Sequence, residues 1–275
     1  MRPLKFFITF LLILSIPAVC FSNDLVENVG EGQINWTKKI ARAKGIGAPS
    51  RSQMGLPSAR PLAIRAAKLD AYRNLLEAVK GIRVDATTVI TNYTTSNDIV
   101  MTKVDGMVKG AKVIKLEYMS DGTVEVTVEI DLNKGFAQLV LPQDIKQVET
   151  IKPMVDNSIQ SEGVFSGLIV DARGLSVRPA MAPKIIDENQ KEVYGSAFVS
   201  REFAVQQGMC GYVKNVTAAK SNKRVKGNAL LVKGIKSMGP GKSNIVISNA
   251  DAARLRSSSK HLSFMRECRV IIIVD

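Results

Sequence analysis

Apolar and polar positions alternate in two ways along this chain, and the alternation predicts its elements. From Pro61 onward Leu62, Ala66, Leu69, Tyr72, Leu76 and Val79 recur at steps of three and four, the spacing of one helix face, with Ser58 as its cap and Gly81 as its stop. Thr123 to Leu132 changes to a period of two: Val124, Val126, Val128, Ile130 and Leu132 alternate with Glu125, Thr127, Glu129 and Asp131. One face of that strand is buried and one is wet. Lys112 to Met119 is its hairpin partner across Asp121-Gly122, a dipeptide suited to the positive φ values of a two-residue turn. Gln33 to Ala48 reads as a strand broken by Gly45, Gly47 and Pro49. The β-branched stretch Ile82 to Ile90 reads as another strand, and Asn97 to Lys109 as a short helix with Ile99, Val100, Val104, Met107 and Val108 inward.

Beyond a polar connector at residues 142–163, strands are expected at Gly167–Ala172, Lys184–Asp187, Val193-Tyr194, Tyr212-Val213, Ala229–Ile235, Asn244–Ser248 and Arg269–Val274. Ser200–Gln207 reads as a short helix. A longer one, capped by Asn249 and running to Glu267, places Leu255, Leu262 and Met265 on one side. The reading is an α+β chain in two domains: a helix packed on an antiparallel sheet at residues 23–141, and a second mixed α/β domain at residues 164–275.

Residues 1–22 stand apart. Arg2 and Lys5 precede an apolar run from Phe6 to Val19, shorter than the about 20 residues a membrane span needs, and this pattern is that of an export signal. The mature chain is therefore expected in the periplasm, with association to the outer membrane open. Cys20 is the candidate for lipid attachment. Val19 stands where lipoprotein signals place a small residue, so the residues favour simple cleavage.

The run Ala63-Ile64-Arg65-Ala66-Ala67-Lys68-Leu69-Asp70-Ala71-Tyr72-Arg73-Asn74-Leu75-Leu76-Glu77, then Val79-Lys80-Gly81-Ile82-Arg83-Val84, resembles the alanine-rich helix and glycine turn of the LPP-twenty lipoprotein family of bacterial envelope proteins. The resemblance spans roughly residues 33–135. The amino-terminal domain of the flagellar assembly protein T is similar to that module, and Gly167 to Leu175 looks like the companion region of exported proteins that carry it. The resemblance implies outer-membrane attachment and supplies no catalytic residues.

The sequence carries a formal charge of +13, and an apolar fraction of 45% supports packed cores. Charge is uneven: Phe203 to Ala250 contains no Asp or Glu, while Lys214, Lys220, Lys223, Arg224, Lys226, Lys233, Lys236 and Lys242 form a basic set suited to an anion. Nucleic acid is not expected, because Phe203 and Tyr212 alone supply stacking surface there. An envelope protein or an anionic envelope surface is the expected partner. Cys210 and Cys268 are either a disulfide or two buried thiols, and spacing does not choose between them.

Four motifs invite chemistry and fall short of it. Gly239-Pro240-Gly241-Lys242-Ser243 lacks the first glycine of a phosphate loop, where Lys236 stands, and a strand follows it instead of a helix. Ser257-Ser258-Ser259-Lys260 contains Ser-x-x-Lys without its companion motifs. His261, the sole histidine, has no nucleophile elbow and reads as a surface or edge residue of the last helix. Glu125, Glu129 and Asp131 are the wet side of a strand. No enzyme activity, metal or cofactor is expected. The expected function is a non-enzymatic envelope binding or assembly module, with a flagellar or other envelope-machine component as the first alternative and a cell-wall-acting enzyme as the second.

Overall fold

The computed structural model describes residues 24–95, 98–145 and 165–275. The signal at residues 1–22, Cys20 and most of the connector at residues 142–163 lie outside them. Two sheets organise the chain, antiparallel in the first domain and mixed in the second.

The first sheet holds β1 (Val26–Val29), β2 (Gly32–Asn35), β3 (Ile40–Gly47), β4 (Lys112–Tyr118) and β5 (Val124–Asp131) in the order β1-β2-β3-β5-β4, every pair antiparallel. The expected single strand from Gln33 is thus a hairpin. Its tight turn at residues 36–39 is closed by Lys39 in the left-handed region, φ 57°. Gly45 and Gly47 lie within β3 and do not break it, because they serve the helix above. Helix α1 (Ala59–Lys80) lies so close to β3 that a Cβ on Gly45 would run into the backbone of Ala67 and Ala71, and one on Gly47 would come within 2.5 Å of the Ala67 nitrogen.

That contact selects the buried face of α1. Ala63, Ala67, Ala71, Leu75, Ala78 and Val79 are buried, while Leu69 is 67% exposed and Leu62 38%. The stripe expected from the larger residues is therefore rotated. Small side chains let the helix backbone approach the sheet, whereas a leucine stripe would hold it away. Ser58 makes no side-chain cap, and Gly81 follows the last helical residue as expected.

Residues 82–89 are a bent loop with one bridge between Arg83 and Val89, in place of the expected strand. The Asp85 carboxylate accepts from the Thr87 and Thr88 amides and turns the chain back on itself, which the β-branched count could not reveal. Helices α2 (Ile90–Thr95) and α3 (Asp98–Lys109) follow, with Val100, Val104 and Val108 buried and Ile99 turned to solvent. At the hairpin tip only Gly122 takes a positive φ, and the Gly122 amide donates to Met119. The turn is a three-residue loop with a glycine bulge, longer than the expected two-residue turn. The short helix α4 (Gly135–Val140) ends the domain.

The second sheet contains β6 (Gly167–Asp171), β7 (Ile185–Ile186), β8 (Glu192–Tyr194), β9 (Gly211–Val213), β10 (Ala229–Met238), β11 (Asn244–Ile247) and β12 (Val270–Ile273), in the order β8-β7-β11-β10-β6-β12-β9. β10, β6, β12 and β9 run parallel, and β10 and β11 form an antiparallel pair. The all-apolar β12 is buried on both faces, as a strand in the middle of such a sheet must be. Helices α5 (Arg201–Gln207) and α6 (Val216–Lys220) lie between β8 and β10 in sequence. The expected helix from Asn249 is two helices, α7 (Asn249–Arg256) and α8 (Ser259–Arg266). Ser248, not Asn249, caps the first, and Ser258 caps the second. A serine side chain that accepts a backbone amide starts a new helix and breaks the old one.

Replacing Gly45 with valine should cost about 3 kcal/mol or more by forcing α1 off the sheet, while Leu69→Ser should change stability by less than about 0.5 kcal/mol. Urea unfolding of the two variants checks both, and equal losses would contradict the packing described.

Candidate functional site

Trp36, the only tryptophan, follows β2 and is fully buried. Its ring meets Tyr212 of β9 edge-on, centroids 5.8 Å apart at 71°. The Lys39 ammonium lies 4.8 Å from the Tyr212 centroid and 5.5 Å from that of Trp36. These are contacts between the two domains, and a single hydrophobic cluster runs through both.

Lys39 is 6% exposed, and no carboxylate among the described residues pairs with it. Burial pulls its pKa down to about 8, and the nearby Arg224 cation pushes the same way while Cys210 opposes it. The aromatic faces supply part of the attraction that a carboxylate would otherwise provide. Thr37 adds a hydrogen bond from its hydroxyl to the Tyr212 carbonyl, 2.9 Å.

A second set of contacts flanks this core. Glu27 on β1 accepts from the Trp36 indole at 2.9 Å and from Arg83 at 2.5 Å, and Arg178 of the second domain approaches it at 3.4 Å. Burial works against the charge of Glu27. The hydrogen bonds from Arg83 and Trp36 and the Arg83 charge nevertheless hold its carboxyl below the usual range. Arg83 also donates to the Pro179 carbonyl, and the Met181 and Ala182 amides donate to the carbonyls of Arg83 and Val84. The bent loop at residues 82–89 is thus an edge on which the second domain pairs its backbone.

The residues singled out from sequence fall in different places. Gly239 to Ser243 is the β10–β11 turn, pressed so close to the first domain that a Cβ on Gly239 or Gly241 would meet Ala86 at 2.7 or 2.9 Å. The Gly241 amide donates to the Ala86 carbonyl. Those glycines serve domain docking. Ser258 caps α8, and the Ser257 hydroxyl donates to the Arg254 carbonyl, so neither hydroxyl is directed at the Lys260 amine.

His261 is 2% exposed, contrary to its expected place at the surface. Nδ1 faces the Arg254 carbonyl at 3.1 Å and Nε2 accepts from the Phe165 amide at 3.3 Å, which assigns the neutral tautomer with its proton on Nδ1. Burial lowers its pKa further. Both ring nitrogens serve the fold. Among the carboxylates of β5, Glu129 pairs with Arg42 at 2.5 Å and Glu125 with Lys44 at 2.7 Å across the wet sheet face.

Cys210 and Cys268 are both buried and carry free thiols. Burial raises the pKa of Cys210, and that of Cys268 to about 12. Neither is a ready nucleophile. No group of three or more His, Cys, Asp or Glu side chains converges among the described residues.

The basic stretch divides. Arg224 is drawn inward, donating to the carbonyls of Gln207, Gly208 and Cys268. It acts as a structural clamp between β9 and β12 and is withdrawn from the surface. Lys214, Lys220, Lys223, Lys226, Lys233, Lys236 and Lys242 are exposed. Lys220, Lys223 and Lys226 cluster on α6 and the turn after it, while Lys233 and Lys236 stand on β10 beside exposed Leu231 and Ile235. The result is a basic strip of exposed lysines along the acid-free stretch. Trp36, Lys39, Glu27 and Arg83 were not singled out from sequence. The lone tryptophan beside two lysines was the available signal.

Fold and contacts define a two-domain chain in which a helix-on-sheet unit is docked on a mixed-sheet unit. Residues 29–131, its amino-terminal domain, match the family model of the LPP20 lipoprotein. Residues 167–275 match the family model described as Treponema pallidum Tp0624, second domain. A comparison with curated proteins gives no match. Among the described residues no helix is long and apolar enough to cross a membrane.

Replacing Lys39 with methionine should stabilise the protein at pH 7. The folded pKa of Lys39 is below its ordinary 10.5, so folding opposes its charge at low pH, and that penalty fades as pH rises from about 8 to 10.5. The stability gap between Lys39→Met and wild type, measured by urea unfolding, should therefore shrink over that range. A gap that stays constant would contradict the assigned burial of the charge.

Proposed function

We propose that this chain is a non-enzymatic, envelope-associated lipoprotein-type module of a bacterium that binds or assembles an envelope partner through its second domain. The observation that carries the reading is the LPP20 match over residues 29–131, joined to the export-type pattern of residues 1–22. The exposed lysines on the acid-free stretch favour an anionic partner surface, either of an envelope protein or of the envelope itself.

A position at the outer membrane depends on Cys20. The family supports lipidation, whereas Val19 favours cleavage without it. Fractionation with fatty-acid labelling of wild type and Cys20→Ala separates these outcomes. The reading expects both chains in the envelope fraction or periplasm, and label that vanishes in the variant identifies an anchor. Wild-type chain retained in the cytosol would overturn the reading.

A further inference from the structure

Exposed apolar side chains gather at one end of the first domain. Met54 and Leu56, in the loop between β3 and α1, are 57% and 52% exposed. Tyr118 and Met119, at the β4–β5 hairpin tip, are 49% and 46% exposed. The two loops border a cleft of about 540 Å³ whose lining includes Pro49, Arg60 and Asp121. Contiguous exposed apolar surface of this kind marks an interaction site.

Cations stand beside these apolar side chains. Met54, Leu56 and Met119 are on the loops themselves. Tyr118 is the last residue of β4, and the Arg60 guanidinium stacks 3.7 Å from its ring centroid. Arg51 and Arg65 add exposed cations on the same loop and the first turns of α1, and none of these three arginines is ion-paired among the described residues. Among the described residues Asp121 is the single carboxylate lining the cleft, and it accepts from the Thr123 amide in its own turn. Apolar side chains, an aromatic ring and cations side by side are the groups that meet the hydrocarbon boundary, the interface and the phosphates of a bilayer.

We propose that this end of the LPP20 domain seats on an anionic phospholipid surface, with Leu56, Met54 and Met119 entering the acyl boundary and Arg51, Arg60 and Arg65 meeting phosphates. The proposal rests on the envelope reading above. The surface is separate from the lysine strip of the second domain, so one molecule can hold a bilayer at one end and a partner along its other domain.

Co-sedimentation of the purified chain, beginning after residue 22, with phosphatidylethanolamine–phosphatidylglycerol vesicles tests it, because lipid binding by the purified protein is independent of where a cell places it. Binding is expected, and the paired substitution Leu56→Ser, Met119→Ser should lower the partition coefficient about tenfold. Lys220→Glu, Lys223→Glu, Lys226→Glu should lower it less. A Leu56→Trp chain should show an emission blue shift on vesicle addition. Absence of vesicle binding, binding abolished by the lysine variant but kept by the paired tip variant, or an unshifted Leu56→Trp spectrum would each overturn the proposal.

Discussion

The seam between the domains governs the rest of this molecule. It encloses a lysine whose charge meets two aromatic faces where a carboxylate would be expected, and such a group is tolerated only where the surrounding packing is complete. Water cannot be admitted around Trp36 and Tyr212 without undoing both cores, since each ring belongs to the same apolar cluster. Glu27, Arg83 and Arg178 close one side of the seam, and the backbone pairing of Arg83 and Val84 with Met181 and Ala182 sets its register. The apolar tip of the first domain and the lysine strip of the second are therefore carried on one body, at a fixed relation to each other.

Within the first domain, a backbone constraint plays the corresponding part. Glycines at positions 45 and 47 and alanines at 63, 67 and 71 bring a helix and a strand closer than side chains with longer stems would allow. The family pattern contains those alanines, yet a periodicity count weights leucine and tyrosine over alanine. The helix itself was legible and its buried face was not. The glycines that mark the approach looked like breakers in a one-dimensional reading, because the residue they accommodate is far away in sequence.

Other features divide the same way. The β4–β5 hairpin and the terminal β12 strand were readable because one element's period and burial decide them. Residues 82–89 were not, since the Asp85 turn and the docking of the second domain override β-branched preference. The break at Ser257-Ser258 depends on a cap that competes with helix continuation. The burial of His261 depends on the Phe165 amide, which the sequence separates widely from it. For the candidate surfaces, the lysines of the acid-free stretch are exposed, but Arg224 could not be told from its neighbours until its three carbonyl partners were in place. The tip was invisible, as Met54, Leu56, Tyr118 and Met119 come from segments joined only by the fold.

The seam makes the two domains one cooperative unit, and equilibrium unfolding with two local probes tests that most directly. Trp36 fluorescence reports the first domain and the seam, while reagent labelling of Cys210 and Cys268 reports the core of the second. The account predicts coincident transitions, with both thiols protected until Trp36 becomes exposed. Thiols that react in a separate transition, while Trp36 stays buried, would contradict it.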